Sequence, residues 1–597
     1  MNKKLAYPII YQTSYDPDNA LQLKEQIKST YVNDPHKSAI LTEYPTVYVI
    51  NDLSDNQKNN FTVYVGETND IQRRTLQHLD VDPKNRNDFS LLKNSRNSSM
   101  FVIGHPHFNK SMTLDVENRL MQYLSSVPAV KHINNRRHNE QNKYYDSDEF
   151  DELFDLIWKK LNKHNKYLFP AQSILESSAL FKASPFNKLT TEQLNAKEII
   201  IEKINAALTN KDKQNSDEGE LILVKGEAGA GKTVLMSSLF YDLVHETELQ
   251  NDKKLSIALL VNQNEQLTVY QEMANKLFEK QDRVKVEKPV TFIKNTQPEQ
   301  KADIVLVDEA HLLLTQPNQA YAHLGNNMLK DIIKRAKVVM AVYDPKQVLS
   351  TTSVWEQGEF EALEKKIGPQ NVISLHNQMR IDASEETIAW IENIINNGKI
   401  GKLPQDDKYE VKVFADPAEM QAAIKTKNKD QDRGISRMVA TFDWEYSGGK
   451  AKLPKGQKYW EVAEGDWKMP WNYEIKRRDG YEKHHRANGP VSYKQQSWAE
   501  KDYTINEIGS TYTVQGFDLN YVGVELGPSV KYRDGKIIHD PKYSQNSKAT
   551  QKRNSTQSYA DTLLRNELNV LLTRGVHGLY LHAVDPELQR ALEKAME

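Results

Sequence analysis

Cysteine is absent from this chain of 597 residues. Its absence excludes disulfide bridges, thiolate zinc sites and cysteine nucleophiles, so any bound metal must be held by oxygen atoms or histidine. Long apolar runs are also absent, and we therefore expect no membrane insertion. The start of the chain lacks the apolar stretch of a secretory signal, which favours a cytoplasmic location.

An excess of charge of one sign is lacking as well, because 79 Lys and Arg face 81 Asp and Glu, for a net charge of −2. This balance does not exclude a nucleic-acid partner, since a local basic groove decides such binding. The length exceeds what one hydrophobic core usually supports, so we expect two to four domains. Stretches poor in apolar periodicity predict a linker at residues 166–188 and a long surface loop at residues 532–558.

Two short runs rich in β-forming residues occupy positions 46–50 and 61–65. They flank a polar connection and predict a hairpin, followed by a helix from about Ile71. On that helix Arg74 and His78 are four positions apart and share a face. A guanidinium and an imidazole placed in this way can address one phosphate.

Tyr48 and Tyr64 lie in the two runs, and Gly66 is followed eight positions later by Arg74 and one turn on by His78. In these residues and this spacing the chain resembles the GIY-YIG endonuclease family. The resemblance implies a small α/β domain in which Tyr64 and His78 support and orient the catalytic groups. The alternative is that the two tyrosines are ordinary strand aromatics.

The same resemblance implies hydrolysis of phosphodiester bonds with one Mg²⁺ or Mn²⁺ ion. Glu117 lies in a stretch that the sequence predicts to be helical, and it matches the glutamate with which the family binds its metal. Asn134 or Asn135 matches an asparagine that follows later in the family's pattern. Tyr48 would help to activate water and Arg74 would steady the phosphate. Three positions depart from the family's pattern, namely Thr46, Val47 and Val65.

Farther along, an apolar run leads into Gly226-Glu-Ala-Gly-Ala-Gly-Lys-Thr233 and then into an apolar helix. This strand, loop and helix context predicts a phosphate-binding P-loop and therefore ATP as ligand. The glycines, Gly226, Gly229 and Gly231, allow backbone N–H groups to wrap the phosphates. Lys232 supplies a charge at the β- and γ-phosphates, and Thr233 offers a hydroxyl to Mg²⁺.

Two later apolar runs also end in polar residues. One ends in Asp308 and Glu309, which suits Asp308 to hold Mg²⁺ through water and Glu309 to polarise the attacking water. The other leads to Gln347, whose amide is placed to sense the γ-phosphate. Strand-end residues of this kind beside a P-loop are typical of a nucleotide site.

These motifs, in this order, resemble superfamily 1 helicases and their relatives, including a bacterial P-loop family related to Schlafen-type ATPases, over roughly residues 186–590. Gln193 matches the adenine-reading element, whereas Arg380 and Arg574 match arginines that stabilise transition-state charge. The resemblance implies two RecA-like lobes that clamp ATP, with single-stranded nucleic acid across them and residues 261–264 as one contact.

The expected fold class is therefore α/β, with a small nuclease-like domain followed by two lobes built on parallel sheets. The expected domains are 1–165 (nuclease-like), 166–188 (linker), 189–380 (first lobe) and 381–597 (second lobe), with an insertion at about 444–502. Five of the eight tryptophans lie in that insertion: Trp444, Trp460, Trp467, Trp471 and Trp498. Interleaved lysines and arginines suit single-stranded nucleic acid, but burial of these tryptophans in a small core is the alternative.

Together the motifs predict an ATP-dependent enzyme that processes nucleic acid, with a metal-dependent DNA endonuclease coupled to a helicase-like ATPase. DNA is favoured over RNA, and bacterial defence against phage or plasmid DNA is the expected setting. The alternatives are a repair or recombination enzyme, an ATP-gated switch that does not unwind, and a nuclease fold kept for binding alone. A homo-oligomer or a partner protein is left open.

Overall fold

The structure of the chain is a computed structural model. It describes all residues except 1–4, 54–59, 85–86, 96, 134–143, 177, 211–216, 228, 250–254, 279–281, 318–324, 357, 377, 379, 430–434, 449–451, 488–491, 495 and 553–556. The chain forms two compact units, of which the first combines Met1–Lys188 with Tyr270–Gln281 and the second combines Leu189–Val269 with Asp282–Glu597. Among the described residues, no helix has the length and apolar character needed to cross a bilayer.

The first unit is built on a five-stranded sheet. Its strands are β1 (Ile9–Ser14), β2 (Thr46–Leu53), β3 (Phe61–Thr68), β4 (Ser99–Gly104) and β5 (Val130–Ile133). They are ordered β1-β4-β2-β3-β5, with β5 parallel to β3 and the other pairs antiparallel. The central strands are rich in β-branched and aromatic residues and are buried, as suits strands covered by helices. The hairpin expected from the sequence is confirmed by the pairing of β2 with β3.

Eight helices of this unit are described. They are α1 (Pro17–Thr30), α2 (Pro35–Thr42), α3 (Ile71–Asp80), α4 (Asn87–Asn94), α5 (Lys110–Ser126), α6 (Phe150–His164), α7 (Gln172–Glu176) and α8 (Ala179–Lys182). Helix α3 begins where the sequence predicts it, because the Asp70 carboxylate accepts a hydrogen bond from the Arg73 N–H and caps the first turn. This cap fixes the direction in which the helix leaves the hairpin.

Residues 166–188, for which the sequence predicts an inter-domain linker, belong to the first unit. They contain α7 and α8, and Leu168, Phe169 and Leu175 are buried. The indole N–H of Trp158 in α6 donates to the Pro170 carbonyl over 2.7 Å. Buried apolar side chains therefore hold this segment on the first unit. The segment is rich in Ser and Pro, and this composition did not indicate that its apolar residues would be buried.

The second unit contains two parallel sheets, of which the first carries the P-loop. Its strands are β6 (Glu220–Gly226), β7 (Ile257–Leu260), β8 (Val284–Glu287), β9 (Ala302–Val307), β10 (Ala336–Tyr343) and β11 (Val372–Leu375), in the order β11-β6-β10-β9-β7-β8. The associated helices are α9 (Thr191–Thr209), α10 (Lys232–Leu249), α11 (Asn264–Leu277), α12 (Pro289–Asn295), α13 (Met328–Ile333) and α14 (Glu359–Ile367). The last part of α11 clusters with the first unit.

The second parallel sheet has the order β12-β20-β17-β13-β16. Its strands are β12 (Glu410–Val413), β13 (Arg437–Ala440), β16 (Gly509–Ser510), β17 (Leu519–Leu526) and β20 (Gly575–Ala583). The helices beside it are α15 (Glu385–Asn397), α16 (Pro417–Lys427), α19 (Thr511–Val514), α20 (Ser547–Thr550), α21 (Ala560–Leu572) and α22 (Pro586–Met596). An N-terminal α/β unit followed by two parallel sheets confirms the fold class expected from the sequence.

Two small hairpins and two short helices complete the second unit. They are β14 (Glu461–Glu464) with β15 (Trp467–Pro470), β18 (Val530–Arg533) with β19 (Lys536–His539), α17 (Glu474–Arg478) and α18 (Tyr481–His484). The single surface loop predicted at residues 532–558 is therefore wrong, because β19 and α20 lie within that stretch. Both elements are too short to produce a detectable periodicity.

The tryptophans of the insertion are largely core residues. Trp460 and Trp471 pack in an apolar cluster with residues of α16 and β13, and Trp498 joins the core of the second sheet. Trp444 and Trp467 lie partly buried against the first of these clusters. The structure thus favours the core interpretation of these tryptophans over the stacking interpretation.

Candidate active sites

The hairpin of the first unit brings two tyrosines onto one face of its sheet. Tyr48 pairs with Gly66 and Ile50 pairs with Tyr64, and side chains two positions apart on a strand share a face. The tyrosine ring centroids lie 6.0 Å apart. A Cβ atom at position 66 would overlap the Tyr48 hydroxyl, so the glycine leaves the space that this phenol occupies.

His78 of α3 is bonded to Tyr48. Its Nε2 atom lies 2.7 Å from the Tyr48 hydroxyl, and its Nδ1 atom lies 2.5 Å from the Asp82 carboxylate. The imidazole is fully buried and stacks on Phe89 at 4.3 Å between centroids. A carboxylate that accepts the Nδ1 proton leaves Nε2 to accept from the phenol.

The prediction that His78 and Arg74 address one phosphate stays a prediction, and the structure adds the surroundings of the imidazole. The imidazole is enclosed, and its two nitrogens face Tyr48 and Asp82. Asp82 was missed by sequence reasoning, although its position four residues after His78 is a signal that was available. The roles assigned to Tyr64 and His78 remain predictions.

Arg74 and Glu117 lie within electrostatic reach of the Tyr48 phenol. Burial raises the pKa of Tyr48 well above its usual value, Tyr64 and Glu117 raise it further, and Arg74 opposes them. Burial lowers the pKa of Arg74, but its interactions with Tyr48 and Tyr64 outweigh this effect and the pKa is raised. Glu117 lies on α5 and is 7% exposed.

A buried carboxylate offers the oxygen ligands that a hard cation such as Mg²⁺ or Mn²⁺ prefers, whereas the Arg74 guanidinium beside it suits a phosphate oxygen instead. Glu117 would supply that carboxylate oxygen. Asn134 and Asn135, either of which matches the family's asparagine, lie outside the described residues. The structure therefore brings together Tyr48, Tyr64, Arg74, His78 and Glu117, with Asp82 behind the histidine.

In the second unit, three neighbouring strands end at one place. Strands β6, β10 and β9 are adjacent and parallel, so the P-loop, Asp344 and Asp308 follow the same edge of the sheet. Lys232 Nζ donates to the carbonyls of Gly226 and Glu227 over 2.8 and 2.7 Å. It also lies 3.2 Å from the Asp344 carboxylate.

The P-loop backbone requires its glycines. Gly229 and Gly231 have φ values of +90° and +69°, which side-chain-bearing residues rarely adopt. Gly226 is tightly surrounded instead, because a Cβ there would come within 3.4 Å of Leu375, Ala230 and Lys232. Thr233 follows in the first turn of α10 and is half-buried.

Asp344 is a buried carboxylate that the sequence analysis did not single out. Gln347 Nε2 donates to it over 2.7 Å. Burial raises the pKa of Asp344, but the positive charge of Lys232 and the hydrogen bonds from Gln347 and Lys232 outweigh burial, and the pKa is lowered. Its place at the end of a strand, before Pro345, was the available signal. The carboxylate holds Lys232 and Gln347 in one network.

The Asp308 and Glu309 pair occupies the end of β9. Glu309 has a left-handed backbone with φ +50°, and its N–H donates to Asp308 over 3.0 Å. Such a conformation is costly for a residue other than glycine and occurs preferentially at functional sites. The Glu309 carboxylate lies 3.2 Å from His311 Nε2. Burial lowers the pKa of His311, which keeps this imidazole neutral near pH 7.

Arg574 reaches the same network from the second sheet. It is fully buried, and its Nη2 atom donates to Gln347 Oε1 over 3.3 Å. Gln515, which directly follows α19, donates to the Gln347 carbonyl over 3.1 Å. Burial, with a further contribution from Arg380, lowers the pKa of Arg574 to about 9. The guanidinium is still charged at neutral pH.

Arg380 lies beside the P-loop. Its Cβ would meet a Cβ built on Gly229, and its Nε atom pairs with the Asp518 carboxylate. Within the part of the chain that the structure describes, its Nη1 atom is buried without a hydrogen-bond partner. An unsatisfied guanidinium N–H at this place suits an anionic phosphate oxygen.

Gln193 is also at the P-loop, but its amide is already engaged. Nε2 donates to the carbonyls of Ala230 and Gly231, and Oε1 accepts from the Thr190 N–H in a capping box at the start of α9. The amide therefore ties α9 to the P-loop in this structure. Its role in reading adenine remains a prediction.

The second site also suits a divalent cation. Asp308 and Thr233 offer oxygen atoms beside the P-loop, and oxygen donors of this kind are those that Mg²⁺ prefers. The backbone N–H groups, Lys232 and the two arginines provide the positive groups that a triphosphate requires. Each of the predicted nucleotide-site residues thus lies in this network or borders it.

Comparisons with known proteins find relatives of this chain. The chain is 31% identical over 450 residues to the uncharacterized protein YPL245W of Saccharomyces cerevisiae, over 70% of this chain and 93% of that protein. It is also similar to the crystal structure of the DUF1998 helicase MrfA bound to DNA and AMPPNP, with 11% identity and a TM-score of 0.28. That match covers 71% of this chain, which spans about half (52%) of that solved chain.

The model of the Schlafen group 3 DNA/RNA helicase domain matches residues 219–585. This range begins just before the P-loop strand β6 and ends after β20, so it contains both parallel sheets and the network between their polar ends. The chain therefore belongs to the Schlafen group 3 family, whose DNA/RNA helicase domain makes up most of its second unit.

Proposed function

We propose that this protein is an ATP-dependent, nucleic-acid-processing enzyme in which a helicase-like ATPase is joined to a metal-dependent endonuclease. The main support for the ATPase is the hydrogen-bonded network of Lys232, Asp344, Gln347 and Arg574. This network connects residues of both parallel sheets at one P-loop. The Tyr48–His78 contact of 2.7 Å, backed by Asp82, supports the nuclease half.

In the ATPase, the P-loop N–H groups and Lys232 would hold the phosphates. Asp308 and Thr233 would hold Mg²⁺, which neutralises phosphate charge when bound. Glu309 is placed to polarise the attacking water, while Arg380 and Arg574 stabilise the charge that develops during transfer. Since Arg574 also bonds Gln347, occupation of the nucleotide site and the arrangement of the two sheets would be coupled.

In the nuclease, Tyr48 would take a proton from the attacking water as its own proton passes to His78. Asp82 would stabilise the imidazolium that forms. Arg74 would bind the phosphate, and Glu117 would hold a metal ion that polarises it. DNA is the proposed substrate, because the family resemblance of the first unit is to DNA-cutting enzymes.

Defence against phage or plasmid DNA is the proposed setting, and it rests on the joining of these two modules. DNA repair or recombination is the second candidate. An ATPase that gates cutting without unwinding is a mechanistic alternative within either setting.

The test measures cleavage of single-stranded, duplex and branched DNA with Mg²⁺ or Mn²⁺, with and without ATP, together with ATP turnover. We expect Glu117→Gln to abolish cleavage while ATP turnover persists, and Lys232→Ala to abolish ATP turnover. The exposed residues Glu152 and Lys334, changed to Gln and Ala, are the controls. ATP turnover without cleavage of any substrate by the wild type would overturn the nuclease half.

Unwinding is tested separately with a strand-displacement assay on a duplex that carries a single-stranded tail. Displacement by Glu117→Gln with ATP would identify a translocating motor. Cleavage that responds to ATP, without displacement, would identify the gated switch.

A further inference from the structure

A pocket of about 530 Å³ lies in the second unit beside the insertion. One side is formed by residues of α17 and α18 and by described residues beyond them, namely Tyr473, Lys476, Arg477, Gly480, Lys483, Tyr493, Lys494, Gln496, Ser497 and Lys501. The start of α11, from Asn264 to Val269, and Phe517 form the other side. The pocket is separate from the P-loop network, and none of the residues assigned above to ATP or metal lines it.

The lining of this pocket is strongly basic. Five cationic side chains face a single acidic one, Glu265; the five are Lys476, Arg477, Lys483, Lys494 and Lys501. Glu482, next to the pocket, pairs with Lys476 at 3.2 Å and Lys501 at 2.6 Å. Among the described residues, the exposed Lys483 and Lys494 have no ion pair. The pocket therefore carries positive charge that its own acidic neighbours do not balance.

Two buried polar atoms in the lining also lack partners. The hydroxyl of Ser497, a residue only 3% exposed, and the side-chain carbonyl of Gln496 have no hydrogen-bond partner in the part of the chain that is described. Leaving such a group unsatisfied costs about 1–3 kcal/mol. A ligand with polar groups facing these two atoms would satisfy them.

Aromatic rings complete the lining. Tyr473, Tyr493 and Phe517 border the pocket, and the Tyr473 hydroxyl donates to Glu265 over 3.3 Å. Flat rings beside cations are the combination that single-stranded nucleic acid uses, because bases stack on the rings and phosphates meet the charges. The insertion thus contributes Tyr473 and lysines to this surface, whereas Tyr493, which also lines the pocket, is only 6% exposed and Trp460, Trp471 and Trp498 are buried.

We infer that this pocket binds one nucleotide of a single-stranded nucleic acid, with Lys483 and Lys494 neutralising its phosphates and with Ser497 and Gln496 bonding its base or sugar. The inference rests on the proposed nucleic-acid function and locates its strand site on the insertion. A volume of about 530 Å³ suits a ligand of nucleotide size. A base held in a duplex is excluded, because its hydrogen-bonding edge is paired and its faces are stacked.

The experiment measures binding of fluorescein-labelled twelve-nucleotide oligo(dT) and oligo(U) to the full-length protein by fluorescence anisotropy, over a series of salt concentrations. The test variant is Lys483→Ala/Lys494→Ala. The matched control is Lys452→Ala/Lys455→Ala, which removes two exposed lysines of the same insertion that do not line the pocket. Basal ATP turnover reports whether each variant is folded.

We expect the test variant to bind more weakly, with the slope of log K against log salt reduced in magnitude by about 1.4, since each single-strand phosphate contact contributes about 0.7. The control should keep the wild-type slope. Ser497→Ala should weaken binding several-fold without lowering the melting temperature, because its hydroxyl has no partner within the described protein to lose.

Wild-type affinity and slope in the test variant, with normal ATP turnover, would overturn the pocket assignment and leave the proposed function standing. Tighter binding of a duplex of the same length than of either single strand would also overturn the assignment. Failure of the wild type to bind any nucleic acid or to turn over ATP would instead count against the proposed function itself. A preference for oligo(dT) or oligo(U) would identify the strand as DNA or RNA.

Discussion

Tyr48 illustrates how one buried side chain depends on its neighbours for chemistry. Burial raises the pKa of its phenol, so the hydroxyl remains protonated near neutral pH and is a weak base by itself. Its contact with His78 offers a route for the proton. The Asp82 carboxylate fixes the imidazole with Nε2 as the acceptor. In the proposed nuclease, the general base is therefore the hydrogen-bonded chain of Tyr48, His78 and Asp82.

Asp82→Asn tests this chain. The amide N–H₂ of asparagine can donate to Nδ1, which moves the histidine proton to Nε2 and removes the acceptor for Tyr48. We expect metal-dependent cleavage to fall by about a hundredfold, the lower end of general acid–base contributions, with substrate binding unchanged. Asp80→Asn, at the exposed end of α3, is the control. Equal cleavage rates in both variants would exclude a role for Asp82.

Glu507 is a buried carboxyl in the insertion whose ionisation opposes folding. Burial raises its pKa to about 7 from 4.5, although Trp498 Nε1 and the Ile475 N–H donate to it over 2.7 and 3.2 Å. Below about pH 4.5 the Glu507 carboxyl is protonated in both the folded and the unfolded chain, so burying it carries no cost of ionisation. Between that pH and 7 the folded state keeps a proton that the unfolded chain has released.

Stability should therefore fall as pH rises through this window, by up to about 1.4 kcal/mol per pH unit from this group. We expect Glu507→Gln to show a flatter dependence of melting temperature between about pH 5 and 7 than the wild type. Glu445→Gln, an exposed change in the same insertion, should follow the wild type. Parallel curves for the wild type and Glu507→Gln would show that Glu507 is ionised throughout.

At the scale of the elements, residues 166–188 show that buried contacts can order a segment whose composition predicts a linker. Phe169 is fully buried and meets Trp158 and Phe101 edge to face, at 5.4 and 5.6 Å between centroids. Each such contact adds to the burial of apolar surface. The segment is therefore part of the core of the first unit.

Phe169→Ala should destabilise the first unit by about 3–5 kcal/mol, the usual cost of deleting a buried aromatic side chain. Tyr167→Ala, two positions away and exposed, should change stability by less than about 0.5 kcal/mol. The measurement is limited proteolysis of the full chain across a urea series, with fragments of the first unit identified by mass. Similar protection of both variants would mean that the segment is not held by this residue.

Across the second unit, the two parallel sheets meet through charged side chains at the P-loop. Arg574 bonds Gln347, and Arg380 pairs with Asp518 beside Gly229. Arg574 comes from the second sheet, and Arg380 pairs with Asp518 beside that sheet. ATP turnover should therefore require the two sheets to be held together. Binding of ATP should depend mainly on the first sheet, which carries the P-loop and Lys232.

Arg380→Lys separates these two requirements. Lysine keeps the charge but loses the planar fork of the guanidinium. We expect the rate of ATP turnover to fall by about a thousandfold or more, as for other arginines that act on the transferred phosphoryl group. The dissociation constant of a non-hydrolysable ATP analogue should change only a few-fold. Arg565→Lys, exposed on α21, is the control, and loss of analogue binding would place Arg380 in ground-state recognition.

Local motifs allowed the P-loop, the strand-end carboxylates and the two-tyrosine hairpin to be found from the sequence. Each depends on residues close together in the chain, such as the glycines before Lys232 or Tyr48 and Tyr64 on paired strands. Their spacing is set by strand, turn and helix geometry, which acts over a few residues. The α/β class follows from the same patterns.

Only the tertiary structure decided what those residues touch. It paired Asp344 with Lys232 and hydrogen-bonded Arg574 to Gln347. It also made lysines of the insertion line a pocket, whereas the neighbouring tryptophans are buried. It also folded residues 166–188 onto the first unit. Burial and pairing of this kind depend on which distant side chains compete for the same core and the same hydrogen bonds, and that competition has no period along the chain.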